Sequence, residues 1–222
     1  MAKNVPRLRP MIPVGSLGAF AVASFLLLII PGPAVVYILN RSVSDGREVA
    51  LSAVAGLECG NLMHVFAATA GLSAVLAASS TAFNTVKWLG ASYLVFVGVR
   101  TLLRRPDPMS AALSTMPRHR AFAQGFVVNT LNPKVALFFL SFLPQFIDPE
   151  RGSAWTQALV LGLVFVVIGC VTDSTYAVTA SSLRTVLLRG SALPFVQRWV
   201  AGSVFILLGV MAGTASAGST NK

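Results

Sequence analysis

Pro31-Gly32-Pro33 interrupts an apolar run, Val14 to Leu39, that contains no charged residue. A run of that length can cross a bilayer, because about 20 residues at 1.5 Å each cover roughly 30 Å of hydrocarbon. Two prolines remove two backbone donors and break the i→i−4 ladder, and carbonyls freed in lipid are costly. Such a break is tolerated where protein surrounds it or where it lines a cavity. Broken helices of this kind build substrate sites near the membrane midplane. The chain is therefore expected to be an all-α, polytopic membrane protein whose first helix is fractured for a purpose.

Composition agrees. The chain has 222 residues, 55% hydrophobic and 11% charged, with a mean hydropathy of +0.75. A soluble domain carries about 25% charge. No segment is polar and long enough to fold separately, so 1–222 is expected to form one transmembrane domain. The net charge of +10 would suggest nucleic acid in a soluble protein. Here Arg100, Arg104, Arg105, Arg118 and Arg120 fall between apolar runs, which suits the positive-inside rule and argues against a nucleic-acid partner. Lys3, Arg7 and Arg9 imitate the start of a signal peptide. The apolar stretch that follows is too long for an h-region and lacks a small-x-small cleavage site, so it is read as a retained first span. Cys59 and Cys170 lie in apolar runs and are expected to be small buried packing residues.

Six spans follow, over 16–39, 49–77, 83–103, 122–147, 155–183 and 199–214, with a polar turn at 40–48 and one extended polar segment at 106–120. The tail, 215–222, is small and polar and is expected to fray. With six spans the basic connections at 41–47, 104–120 and 184–198 share one side, expected to be the cytoplasmic face of the inner membrane. Both termini then lie outside, which puts the basic leader, 3–9, on the opposite face from the rule. Trp88, Trp155 and Trp199 each fall at a span start, the headgroup zone that indoles prefer. Lys87-Trp88-Leu89-Gly90-Ala91-Ser92 opens the third span, and Arg198-Trp199-Val200-Ala201-Gly202-Ser203 opens the sixth. Pro33 has a counterpart in Pro133. Three helices per half is an odd number, so two such halves have opposite orientation, the inverted-repeat plan of many secondary transporters. Repeat one is expected at 16–104, a cytoplasmic loop at 105–121, and repeat two at 122–216.

The polar residues inside the spans are few. Asn129-Thr130-Leu131-Asn132-Pro133-Lys134 reads as a second broken helix facing the first, with Asn129 and Asn132 on one face. Lys134 either meets a ligand there or snorkels to the headgroups. In the second span Gly56 and Gly60 allow close helix approach. Glu58 and Asn61 are neighbours, with His64 within reach of Asn61. A carboxylate at mid-span costs roughly 2.5–3.5 kcal/mol on insertion scales, which demands a partner, a cavity or protonation. Gly169, Asp173 and Tyr176 share a face of the fifth span, where Asp173 is either a coupling carboxylate or a counter-ion for Lys134. His64 and His119 are too few and too far apart for a metal cage. There is no phosphate loop and no nucleophile triad, so no enzyme, metal or cofactor is expected.

In order and spacing, five segments resemble the LysE/RhtB family of amino-acid exporters. They are Pro31-Gly32-Pro33; Gly56-x-x-x-Gly60-x-x-x-His64 with Gly71-Leu72; Lys87-x-x-Gly90-x-x-Tyr93-Leu94-x-x-x-Gly98; Gly125-x-x-x-Asn129-x-x-Asn132-Pro133-Lys134; and Phe138-Phe139-x-x-Phe142-Leu143-Pro144-Gln145-Phe146. The resemblance runs from Phe20 to Met211. It implies a carrier that expels amino acids or close derivatives, driven by the ion gradient, and the RhtB-like branch implies neutral cargo. Two departures accompany it: a longer basic leader, and a carboxylate at Glu58 where relatives carry an acid at the position of Asn61. Residues and resemblance together lead to one expected mechanism. An amino acid sits between Pro31-Gly32-Pro33 and Asn132-Pro133. Helix N-terminal amides or Lys134 hold its carboxylate, and Asn129, Asp173 or Glu58 meets its ammonium, with protons as coupling ion. The working unit is open between monomer and homodimer. Two alternatives stay open, a divalent-cation exporter and a thiol–disulfide electron carrier using Cys59 and Cys170.

Overall fold

The computed structural model describes residues 10–78 and 116–183, with isolated positions between 85 and 103 and between 203 and 210, and every element among them is helical. Helices α1 (Val14–Ile29) and α2 (Pro33–Asp45) form a pair bent by 53°. Helix α3 (Arg47–Ala78) follows after Gly46, whose φ of 84° makes the sharp reversal that favours glycine. Helices α4 (Arg118–Thr130) and α5 (Pro133–Ser141) form the second bent pair, at 44°, and the chain continues through a 3-10 turn, Leu143–Phe146. Helix α6 (Ala154–Ser182) is entered through a second such turn, Pro149–Arg151.

Arg47–Gly71 and Ala154–Ser182 are each long and apolar enough to cross a membrane, and each bent pair qualifies when taken as one span. Two of the six expected spans therefore have counterparts among the described residues, and four when each bent pair is counted as one span. The third and sixth spans lie largely outside the described residues, as do the paired motifs that begin at Lys87 and Arg198. Both breaks stand where the prolines predict. Pro33 and Pro133 are each the first residue of a half-helix, where the missing N–H is no loss.

Three expectations are corrected. The polar turn expected at 40–48 is helical through Asp45, because Arg41 and Asp45, one turn apart, pair at 2.9 Å in a buried setting. Asp45 Oδ1 also accepts the Met116 N–H at 2.8 Å. The fourth span begins at Arg118 rather than 122, and an Arg118–Glu48 ion pair ties its start to α3. The cysteines are not buried fillers: Cys59 is half-buried, Cys170 is exposed, and both are unbonded.

Glycines set the interhelical spacing. A Cβ on Gly56 would collide with the Phe122 carbonyl, and one on Gly125 would lie 2.5 Å from the Ala53 oxygen. One on Gly60 would lie 2.8 Å from Asn129 Cβ, and one on Gly162 would lie 2.5 Å from Val65 Cγ1. Helix α3 is thus pressed against α4 on one side and α6 on the other, the small-residue packing of membrane helices. Beneath the first break, Phe20, Phe138, Phe139, Phe142, Phe146 and Phe165 interlock with centroids 4.9–6.0 Å apart. Replacing Gly125 with leucine should cost stability in the range of overpacked cores, about 1–3 kcal/mol. The same change at Gly71, where no described residue lies within 4 Å, should be near neutral. Thermal unfolding of the two detergent-purified variants measures the difference.

Candidate functional site

At the first break α1 ends at Ile29, and its last carbonyls lose their i+4 partners, Leu27 keeping only the cap N–H of Ile30 at 3.3 Å. Side chains from two other helices take their place. Lys134 Nζ donates to the Leu27 oxygen at 2.9 Å and to the Ile30 oxygen at 3.0 Å. Tyr176 donates its hydroxyl to the Ile29 oxygen at 2.6 Å. Lys134 reaches these carbonyls across Gly32, where an added Cβ would lie 3.4 Å from both Cδ and Nζ. The two fractures therefore meet, and Lys134 is the contact. Pro31 is buried at the junction, whereas Pro33 and Pro133 are exposed on its outer side. The snorkelling alternative for Lys134 is overturned, because its side chain is enclosed among α1, α2 and α5.

The second break is closed by amides. Helix α4 stops at Thr130, and Asn132 caps α5 by accepting the Lys134 N–H at 3.1 Å. Asn129 and Asn132 are thus not two steps along one helix face. They meet across the break, with Asn132 Nδ2 donating to Asn129 Oδ1 at 3.2 Å. Asn129 also donates to the Leu57 oxygen at 2.7 Å and to Asn61 Oδ1 at 2.6 Å. Asn61 in turn donates to Glu58 at 2.9 Å. His64 does not join Asn61. Its Nε2 lies 2.8 Å from the Asn129 carbonyl, which can only accept, so this nitrogen carries the proton. An unbroken chain of amides runs from the cap of α5 to the Glu58 carboxyl.

Helix α6 closes the site from the other side. Gly169, Asp173 and Tyr176 share the expected face: Gly169 lies against the Glu58 carboxyl, and Tyr176 reaches the first break. Asp173 is 3% exposed and makes no hydrogen bond among the described residues. It lies within electrostatic range of Lys134, with no contact ion pair between the two, and of the like-charged Glu58. Glu58 Oε1 likewise lacks a hydrogen-bond partner among the described residues. The backbone acceptors Leu27, Ile30 and Leu57 were not foreseen from side-chain identities. For the first two, the signal was the break itself, which frees the carbonyls just before it.

A family model described as LysE type translocator matches residues 25–216. The chain belongs to that family. It is therefore a membrane translocator rather than an enzyme. It is 30% identical over 201 residues to an uncharacterized membrane protein of Vibrio cholerae, covering 90% of this chain and 97% of that one. It is 29% identical over 198 residues to a homoserine/homoserine lactone efflux protein of Salmonella typhimurium, covering 89% and 95%. It is 30% identical over 145 residues to a leucine efflux protein of an Enterobacter species, covering 64% and 68%. No solved structure matches it.

Within this LysE type chain, the Gly169–Glu58 contact is the tightest approach of a carboxyl to a neighbouring helix that the glycines record. A methyl at 169 would stand 2.8 Å from both Glu58 oxygens. Gly169→Ala should lower the thermal midpoint in detergent by the equivalent of about 1–3 kcal/mol. Glu58→Ala in the same chain should recover most of that loss. Additive losses in the double-mutant cycle would show that the contact is not the cause.

Proposed function

We propose that this chain is a secondary transporter in the inner membrane that exports amino acids or close derivatives, mainly neutral ones, using the proton gradient. The observation that carries this reading is the junction of the two broken helices, with polar groups from α1, α4, α5 and α6 gathered where apolar helices cross. The relatives' names, leucine efflux and homoserine/homoserine lactone efflux, supply the cargo class. Leucine, homoserine and homoserine lactone share a primary amine on a small carbon frame. The equivalent positions of Pro33 and Pro133, each opening a half-helix, favour two inverted three-helix repeats that rock against each other.

The two half-helix starts differ in a way that assigns roles. Asn132 caps α5, whereas α2 begins at Gly32 and Pro33 with no side-chain cap. The open amides of α2 are the natural seat for a cargo carboxylate, since helix N-termini favour anions. Asn129 and Asn132 shape the wall beside it, and Tyr176 and Lys134 hold the end of α1 in place. Glu58 takes the coupling proton, with Asn61 donating to one of its oxygens, Asp173 and Cys170 facing it from α6, and His64 nearly two turns further along α3. Protonation removes the charge that makes a buried carboxylate costly, and so permits the helix to move.

Purified protein in proteoliposomes should move labelled leucine or homoserine when a pH gradient is imposed. Glu58→Gln should abolish that gradient-driven flux by tenfold or more, while exchange of labelled for unlabelled cargo persists. A wild-type protein that moves neither cargo contradicts the export reading. A Glu58→Gln protein that still follows the pH gradient contradicts the role of Glu58.

A further inference from the structure

Lys134 is bound unusually for a buried lysine. Its ammonium rests on two uncharged backbone oxygens, Leu27 at 2.9 Å and Ile30 at 3.0 Å, and no contact ion pair holds it among the described residues. Asp173, buried and without a hydrogen bond among the described residues, stands within electrostatic reach. The cation therefore rests on carbonyls while a carboxylate of opposite charge stands near enough to attract it. The carbonyls belong to the C-terminal end of a half-helix, where backbone dipoles concentrate negative charge. A lysine head offers three N–H donors and no acceptor. A primary alkylammonium offers the same donors in the same size, and the cargo class proposed above carries that group.

We propose that the Leu27 and Ile30 carbonyls form a primary-ammonium subsite at the broken end of α1. Lys134 fills it as a tethered surrogate in this conformation, and the amino group of the cargo displaces Lys134 onto Asp173. The cargo part of this inference rests on the export reading, but the subsite itself is testable without transport. The exchange breaks and makes only hydrogen bonds, so no proton or covalent bond changes hands. It gives the carrier a selection rule, since an N-acylated amino acid has no ammonium to offer and cannot replace the lysine. It also gives an empty carrier a way back, because Lys134 returns to the carbonyls once the cargo leaves, and the fracture is never left bare.

Lys134→Ala vacates the subsite while leaving both carbonyls in place. The test is thermal unfolding of the full-length purified variant in detergent, with n-propylammonium chloride as probe. Its neutral analogue n-propanol and bulky tetramethylammonium chloride serve as controls at matched ionic strength. Propylammonium should raise the midpoint of Lys134→Ala by several degrees and saturably. The controls should not, and wild-type protein should not respond. No response of the variant to propylammonium, or an equal response in wild type, overturns the subsite. Should Lys134→Ala fail to fold, Asp173→Asn carries the test in proteoliposomes. Deprived of that carboxylate, Lys134 stays on the carbonyls, and KM for exported leucine should rise tenfold or more with little change in kcat. An unchanged KM overturns the exchange. If propylammonium binds the variant while wild-type protein moves no amino acid, the subsite stands and the export reading fails.

Discussion

A helix that stops inside an apolar slab leaves carbonyls that lipid cannot satisfy, and each such group costs several kcal/mol. In this protein that deficit is met by one lysine and one tyrosine from other helices: Lys134 on Leu27 and Ile30, and Tyr176 on Ile29. The rest of the arrangement depends on it. The fracture of the first span is stable only while α5 and α6 stand beside it, and Lys134 is tolerable at that depth only because the fracture offers it acceptors. The broken helix and the buried cation are mutually dependent.

The glycine contacts make this geometry attainable. Gly56, Gly60 and Gly125 draw α3 and α4 into backbone contact, which brings Asn129 onto Leu57 and Asn61 and sets the Asn132 cap beside it. A single polar thread then connects the α5 cap to Glu58. The Phe cluster of α1, α5 and α6 supports the break from below without competing for hydrogen bonds. Hydrogen bonds between membrane helices average about 0.6 kcal/mol each when measured by double-mutant cycles. The thread therefore acts more through specified positions than through bulk stability.

Much of this was legible in the sequence because proline and glycine act locally. Pro31-Gly32-Pro33 and Asn132-Pro133 mark both breaks to within a residue or two, and Gly56-x-x-x-Gly60 marks a close crossing. The neighbouring Glu58 and Asn61 do hydrogen-bond, as a spacing of three predicts. What failed required tertiary information. The 40–48 segment is polar enough to read as a turn, yet a buried Arg41–Asp45 pair, secured by the Met116 N–H, keeps it helical. His64 is within sequence reach of Asn61, but α4 brings the Asn129 carbonyl to its Nε2 instead. The partners of Lys134 are backbone oxygens more than a hundred positions away in sequence, and no side-chain pattern encodes them.

The most direct measurement is solid-state NMR of the protein in lipid bilayers, with lysine side chains labelled with nitrogen-15 and leucine and isoleucine carbonyls labelled with carbon-13. If Lys134 bridges the two fractures, one lysine ammonium resonance will be rigid and slow to exchange with water. It will be strongly dephased by backbone carbonyls, and the effect will vanish when Lys134 is replaced. Lysine signals that are all mobile, exchange rapidly with water and show no carbonyl dephasing would contradict the bridge on which the site is built.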